Sequence, residues 1–171
     1  MKTLFLAFIL TLTTAGAAFA FDEPDGFRGV PWGATEEQMR AAVSIERACA
    51  DYPVASRHLG DRFCPALLLI GDIRVRANYS FRANRMTRVG LLFAPKDFDR
   101  LAAIFVERYG PATKLRDRDA LTWSGETTSV SLSRYLGMDV TTGYAVITTK
   151  AEMQESKRLR DEQTKGAAKG L

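Results

Sequence analysis

Between Ile73 and Arg82 apolar and polar residues change places at every position: Ile73, Val75, Ala77, Tyr79 and Phe81 against Arg74, Arg76, Asn78, Ser80 and Arg82. A β-strand points successive side chains to opposite faces, so this stretch is a strand with one buried face and one polar face. Strands of that kind belong to antiparallel sheets covered mainly on one side; strands buried on both faces read as unbroken apolar runs. The next segment supplies a partner, with Val89, Leu91 and Phe93 on one side. Parity decides the connection. A two-residue turn at Ala83-Asn84 sets Arg88 opposite Tyr79 on the buried face. A three-residue loop, Ala83-Asn84-Arg85, pairs Tyr79 with Val89, Ala77 with Leu91 and Val75 with Phe93. We therefore expect the three-residue loop, a left-handed Asn84, and Arg74, Arg76, Arg82 and Arg88 together on the other face.

Two helices are written around this hairpin. Thr35 followed by Gln38 forms a capping box, Glu36 and Glu37 suit the positive end of a helix, and Met39, Ala42 and Val43 fall on one side. The second helix runs from an Asp97 cap through Phe98, Leu101, Ala102, Phe105 and Tyr109, and stops at Gly110-Pro111. Three further strands are expected at 121–123, 128–135 and 140–149, with Val130 and Leu132 inward. Residues 150–163 contain good helix formers but only Ala151, Met153 and Leu159 as apolar contacts, so this helix is expected to dock loosely; residues 165–171 are expected to be disordered. The order is helix–hairpin, then helix–three strands. It predicts an α+β domain of two tandem helix-plus-antiparallel-strand units, helices on sheet.

The first twenty residues have the form of a secretory leader: Lys2, an apolar run from Leu4 to Leu12, and Ala18-Phe19-Ala20 as a cleavage signal. The expected organisation is a leader at 1–20, an α+β domain at 21–149 and a polar tail at 150–171. A periplasmic or secreted location follows, with no transmembrane anchor. In an oxidising compartment Cys49 and Cys64, the only two cysteines, are expected to form a disulfide. Their spacing lacks the C-x-x-C closeness of a redox pair.

Chemistry-bearing residues are few. His58 is the sole imidazole; Ser56, Asp51 and Asp61 lie nearby, but no nucleophile elbow accompanies them. One histidine and two oxidised cysteines make no zinc site. Asp22, Glu23 and Asp25 lack the alternating ligands of a calcium loop and read as a solvated turn. No glycine-rich phosphate loop precedes a helix, and no cofactor is implied. The arginine stripe has its aromatics on the opposite face, which disfavours nucleic acid. Trp32 and Trp123 read as core contacts. The sharpest candidate is the Arg74/Arg76/Arg82/Arg88 face, which would grip carboxylates or phosphates of an envelope protein or another anionic envelope component; a merely solvated sheet face is the plain alternative.

The run from Gly29 to Glu37 (Gly-Val-Pro-Trp-Gly-Ala-Thr-Glu-Glu), with Arg108-Tyr109-Gly110-Pro111 and a later Trp123, resembles a group of small exported bacterial proteins of unknown function. More distantly, the Gly-x-Thr helix opening and the helix ending in Gly-Pro resemble envelope assembly lipoproteins of the BamE/OmlA type. The resemblance implies an envelope interaction domain and carries no catalytic residue. The expected function is thus an exported, non-catalytic binding module of the periplasm or envelope. A periplasmic enzyme inhibitor and a small hydrolase using His58 are the alternatives.

Overall fold

The computed structural model describes residues 21–117 and 119–168, with the side chains of 114–117 excepted. The leader, its cut after Ala20 and the last three residues of the tail lie outside the described residues. A short hairpin, β1 (Gly26–Phe27) and β2 (Val30–Pro31), leads into α1 (Glu36–Ala42). Then come β3 (Ala50–Asp51), β4 (Arg62–Ile70), β5 (Ile73–Arg82) and β6 (Arg85–Phe93). The second unit is α2 (Phe98–Tyr109), β7 (Lys114–Asp117), β8 (Ala120–Ser124), β9 (Thr128–Ser133) and β10 (Gly143–Thr149), followed by α3 (Lys150–Ala168).

All eight strands from β3 onward form one antiparallel sheet in the order β3-β4-β5-β6-β10-β9-β8-β7. Each unit is a helix followed by four strands running from an outer edge to the centre, where the two last strands, β6 and β10, pair. The tandem α+β architecture holds, and the first unit is larger than a hairpin. Three members are unexpected, β3, β4 and β7, so the second unit also has one strand more than the sequence suggests; the longest of the three is β4. It contains Pro65, which cannot donate to a ladder and is tolerated at an edge. Here β3 pairs only with Arg62 and Phe63, and the Pro65 carbonyl accepts the Glu46 N–H at 2.8 Å.

One face of the sheet carries the core. Ile73, Val75, Ala77, Tyr79 and Phe81 are all buried, as alternation requires, together with Val89, Leu91, Trp123, Val130, Leu132, Ala145 and Ile147. Over them lies α2, burying Phe98, Leu101, Phe105 and Tyr109, each worth about 1.5–3 kcal/mol. The ring of Trp123 packs 6.0 Å from Phe105 and 6.2 Å from Tyr109, and its Nε1 donates to the Gly110 carbonyl. Trp32 also packs on the core and donates to the Pro24 carbonyl, so both tryptophans are structural contacts. The capping box of α1 is present in both halves: Thr35 Oγ1 accepts from the Gln38 N–H, and Gln38 Oε1 accepts from the Thr35 N–H. Met39 and Val43 are buried, but Ala42 is exposed. Asp97 precedes α2 without a side-chain cap; a 3₁₀ turn, Pro95–Asp97, delivers the chain instead.

The hairpin corrects the loop assignment while keeping its pairing. Tyr79 faces Val89 and Ala77 faces Leu91, yet Arg82 pairs with Arg85 across a two-residue turn, Ala83-Asn84, with φ 48° and 58°. The odd residue sits in a bulge: Ser80 pairs with Arg88 and Phe81 with Met86, leaving Thr87 extra. Parity demands one unpaired residue, and either a loop or a bulge can hold it.

Candidate functional site

The four arginines of the polar face do not share one environment. Arg74 and Arg76 are exposed, Arg82 is half-buried and Arg88 is 8% exposed. The difference comes from α3, which lies across the far end of this second face. Arg82 grips Glu152 through two bonds, Nε to Oε2 and Nη2 to Oε1, both 2.8 Å, and also donates to the carbonyls of Arg57 and His58. The Glu152 side chain is 1% exposed. Ser156 donates to Glu152 Oε1 at 3.0 Å and accepts from Arg88 Nη2 at 3.2 Å. The helix is thus fastened by a polar chain, Arg82–Glu152–Ser156–Arg88, whereas Ala151 and Met153 point to solvent. It continues to Ala168, through residues expected to be disordered. Arg82 and Arg88 are thus engaged with α3, unlike Arg74 and Arg76.

Arg74 and Arg76 remain. In the register of β4 against β5, Leu69 stands opposite Arg74 and Leu67 opposite Arg76. Leu67 and Leu69 are 51% and 58% exposed, which is unusual for leucines on a strand. Arg76 makes one ion pair, with Glu46 at 3.6 Å and in solvent; Arg74 makes none among the described residues. The result is a small checkered patch of two leucines and two guanidinium groups beside the outer edge of β4, which no strand among the described residues covers beyond Phe63. The exposure of these leucines is not visible in the sequence, because β4 has Pro65 and an unbroken apolar run in place of alternation. The strand itself does have a signal: Gly71-Asp72, a two-residue turn between the apolar run ending at Ile70 and the alternating run beginning at Ile73.

Other candidate groups are held apart. The disulfide joins Cys49 and Cys64 and ties β4 to the segment entering β3. With Glu36 these sulfurs form a cluster of metal-ligand types, but both are spent in the disulfide and Glu36 pairs with Arg40 and Arg62. Asp51 binds Arg62, and Asp61 accepts the Ala83 N–H at 2.7 Å. Neither is hydrogen-bonded to His58 among the described residues; the histidine lies in the 3₁₀ segment Val54–Leu59 with its Nδ1 buried. Burial, with Arg160, Arg88 and Arg82 nearby, pushes the imidazole below its ordinary value despite the Ala55 backbone bond. Among the described residues no hydrogen bond joins His58 to the side chains of Ser56, Asp51 or Asp61.

Glu23, expected in a solvated turn, instead fills a receptor made by the β8–β9 turn. Its carboxylate accepts the N–H groups of Glu126, Thr127 and Thr128 and both threonine hydroxyls. Partial burial pulls this carboxyl upward, but those bonds outweigh it and hold the value at about 2. A Cβ at Gly125 would lie 2.0 Å from the Glu23 carboxyl carbon, so a side chain there would displace the carboxylate from its bonds. No family model, curated protein or solved structure matches this chain. No helix among the described residues is long and apolar enough to cross a membrane.

Proposed function

We propose that this chain is an exported, non-catalytic binding module of the bacterial periplasm or envelope. Its patch of Leu67, Leu69, Arg74 and Arg76 engages an acidic segment of an envelope protein. The observation that carries the reading is the placing of two exposed leucines opposite two exposed arginines, one without an ion pair among the described residues and one in a solvent-exposed pair with Glu46, on an antiparallel hairpin. Apolar contact supplies affinity and guanidinium groups supply charge selection, the composition expected of an interaction surface. The leader-like first twenty residues and the disulfide support the location, and the likeness of the helix opening to small exported proteins points the same way.

The test is capture of envelope proteins by the wild type and by Arg74→Glu/Arg76→Glu, in low and moderate salt. A specific acidic partner, weakened by salt and lost with the double reversal at unchanged melting temperature, is the expected result. Equal capture by both forms would remove this patch as the site. Retention of only polysaccharide would remove the protein partner.

A further inference from the structure

A cleft of about 580 Å³ opens between the β1–β2 hairpin and the C-terminal half of α2, away from the Leu/Arg patch's strand face. That volume lies inside the roughly 300–1,000 Å³ typical of small-molecule sites. Phe27, Ile70, Ile104 and Phe105 give it apolar walls, and Arg28, Arg108 and Asp25 stand among its lining groups. Ile70 and Ile104 are only partly buried, so the walls stay open to an apolar ligand.

Arg28 is in an unfavourable place for an arginine. It occupies the first position of the two-residue turn Arg28-Gly29, with φ 52° there and 81° at the glycine. Asn, Asp or Gly fit such a turn, and a longer L-residue is strained in it. The guanidinium Nη1 donates to the Leu69 carbonyl at 2.6 Å, which ties the hairpin to the end of β4 and closes one side of the cleft. It has no carboxylate partner among the described residues. Arg108 is paired with Asp22, but both side chains are more than half exposed, so that pair is weak and exchangeable. Asp25 is exposed and is the one acid in the lining.

We infer that this cleft binds a single-chain amphiphile: an acyl body between the hairpin and α2, with an anionic head held by Arg28 and assisted by Arg108. Apolar walls beside a guanidinium that has no carboxylate partner among the described residues, and only its Nη1 engaged by the Leu69 carbonyl, match that chemistry, because the remaining N–H groups can take oxygens of a carboxylate or phosphate.

The purified full chain would be titrated with dansylaminoundecanoic acid and the probe displaced by decanoate, decyl phosphate or decanol. Saturable probe binding is expected, with decanol at least about fivefold weaker than the anions, a difference of the size one charge-assisted contact makes. Whichever anion displaces better identifies the head group. Arg28→Gln should weaken the anions about fivefold or more relative to decanol, and Arg28→Lys should recover part of that selective loss. Ile104→Trp, at a half-exposed position, should abolish binding of all three. No saturable binding by the wild type, equal affinities in Arg28→Gln, or undiminished binding in Ile104→Trp would overturn the assignment.

Discussion

Removing one carboxylate should detach the C-terminal helix. Glu152 is the only acid in the polar chain that fastens α3, with two bonds from Arg82 and one from Ser156, and its side chain is 1% exposed. Breaking a buried ion pair by deleting one partner costs about 3–5 kcal/mol, mostly because the other charge stays buried and uncompensated. Arg82 is 18% exposed and keeps the carbonyls of Arg57 and His58, so the low end applies: about 3 kcal/mol for Glu152→Ala. In a domain of this size, that is roughly a 6–12 °C fall in melting temperature if α3 unfolds with the rest. If α3 leaves first, the loss is confined to the helix. Limited proteolysis should then cut within 150–168 while the sheet stays intact. Urea unfolding, circular dichroism and proteolysis together separate the two. Arg82→Ala should add little to Glu152→Ala, because the pair acts as a unit. A change below about 0.5 kcal/mol with α3 still protected would refute this anchoring.

Glu23 gives a pH test. Its carboxyl sits at about 2 in the folded protein against an ordinary 4.5, so the unfolded chain binds the extra proton between those values. The stabilisation is complete above pH 4.5 and disappears as pH falls toward 2; allowing for solvent at the site it is about 1–2 kcal/mol. Glu23→Gln should lose this at pH 7 and match the wild type at pH 2, measured by denaturant midpoints. Gly125→Ala should reproduce the loss, and the two changes should not add. Reducing Cys49–Cys64 should cost about 3 kcal/mol for a bridge spanning 15 positions, read by urea unfolding with and without reductant. Ala83→Gly should raise stability by about 0.5–1 kcal/mol, since Ala83 carries φ 48° in a turn that suits glycine; thermal melting checks it.

The elements legible in the sequence are those whose signal is local. The alternation from Ile73 to Phe81, the capping box of Thr35 and Gln38, and the apolar spacing from Phe98 to Tyr109 each specify their element within one or two turns of chain. The cysteine pair is legible because only one pairing exists. What could not be read is set by contacts distant in sequence. Pro65 and an unbroken apolar run disguise β4, which is a strand because β5 pairs with it and because its proline faces an edge. The sparse apolar content of α3 suggested loose docking, since nothing near Glu152 reveals that Arg82 waits seventy residues earlier. The docking of α3 divides the arginine face, covering Arg88 and half of Arg82 and leaving Arg74 and Arg76 to solvent. Glu23 reads as a turn residue because its receptor lies a hundred residues on, in backbone N–H groups that no side-chain pattern announces.

The measurement closest to the functional claim is photocrosslinking in living cells from a benzoylphenylalanine placed at Leu67, with Val140, 67% exposed and remote in sequence, as control. The expected result is one discrete adduct with an envelope protein from position 67, absent from position 140, and lost when Arg74 and Arg76 are both changed to Glu. The same adducts from both positions, or an adduct from position 67 that survives the charge reversal, would contradict the assignment of the Leu/Arg patch as the binding surface.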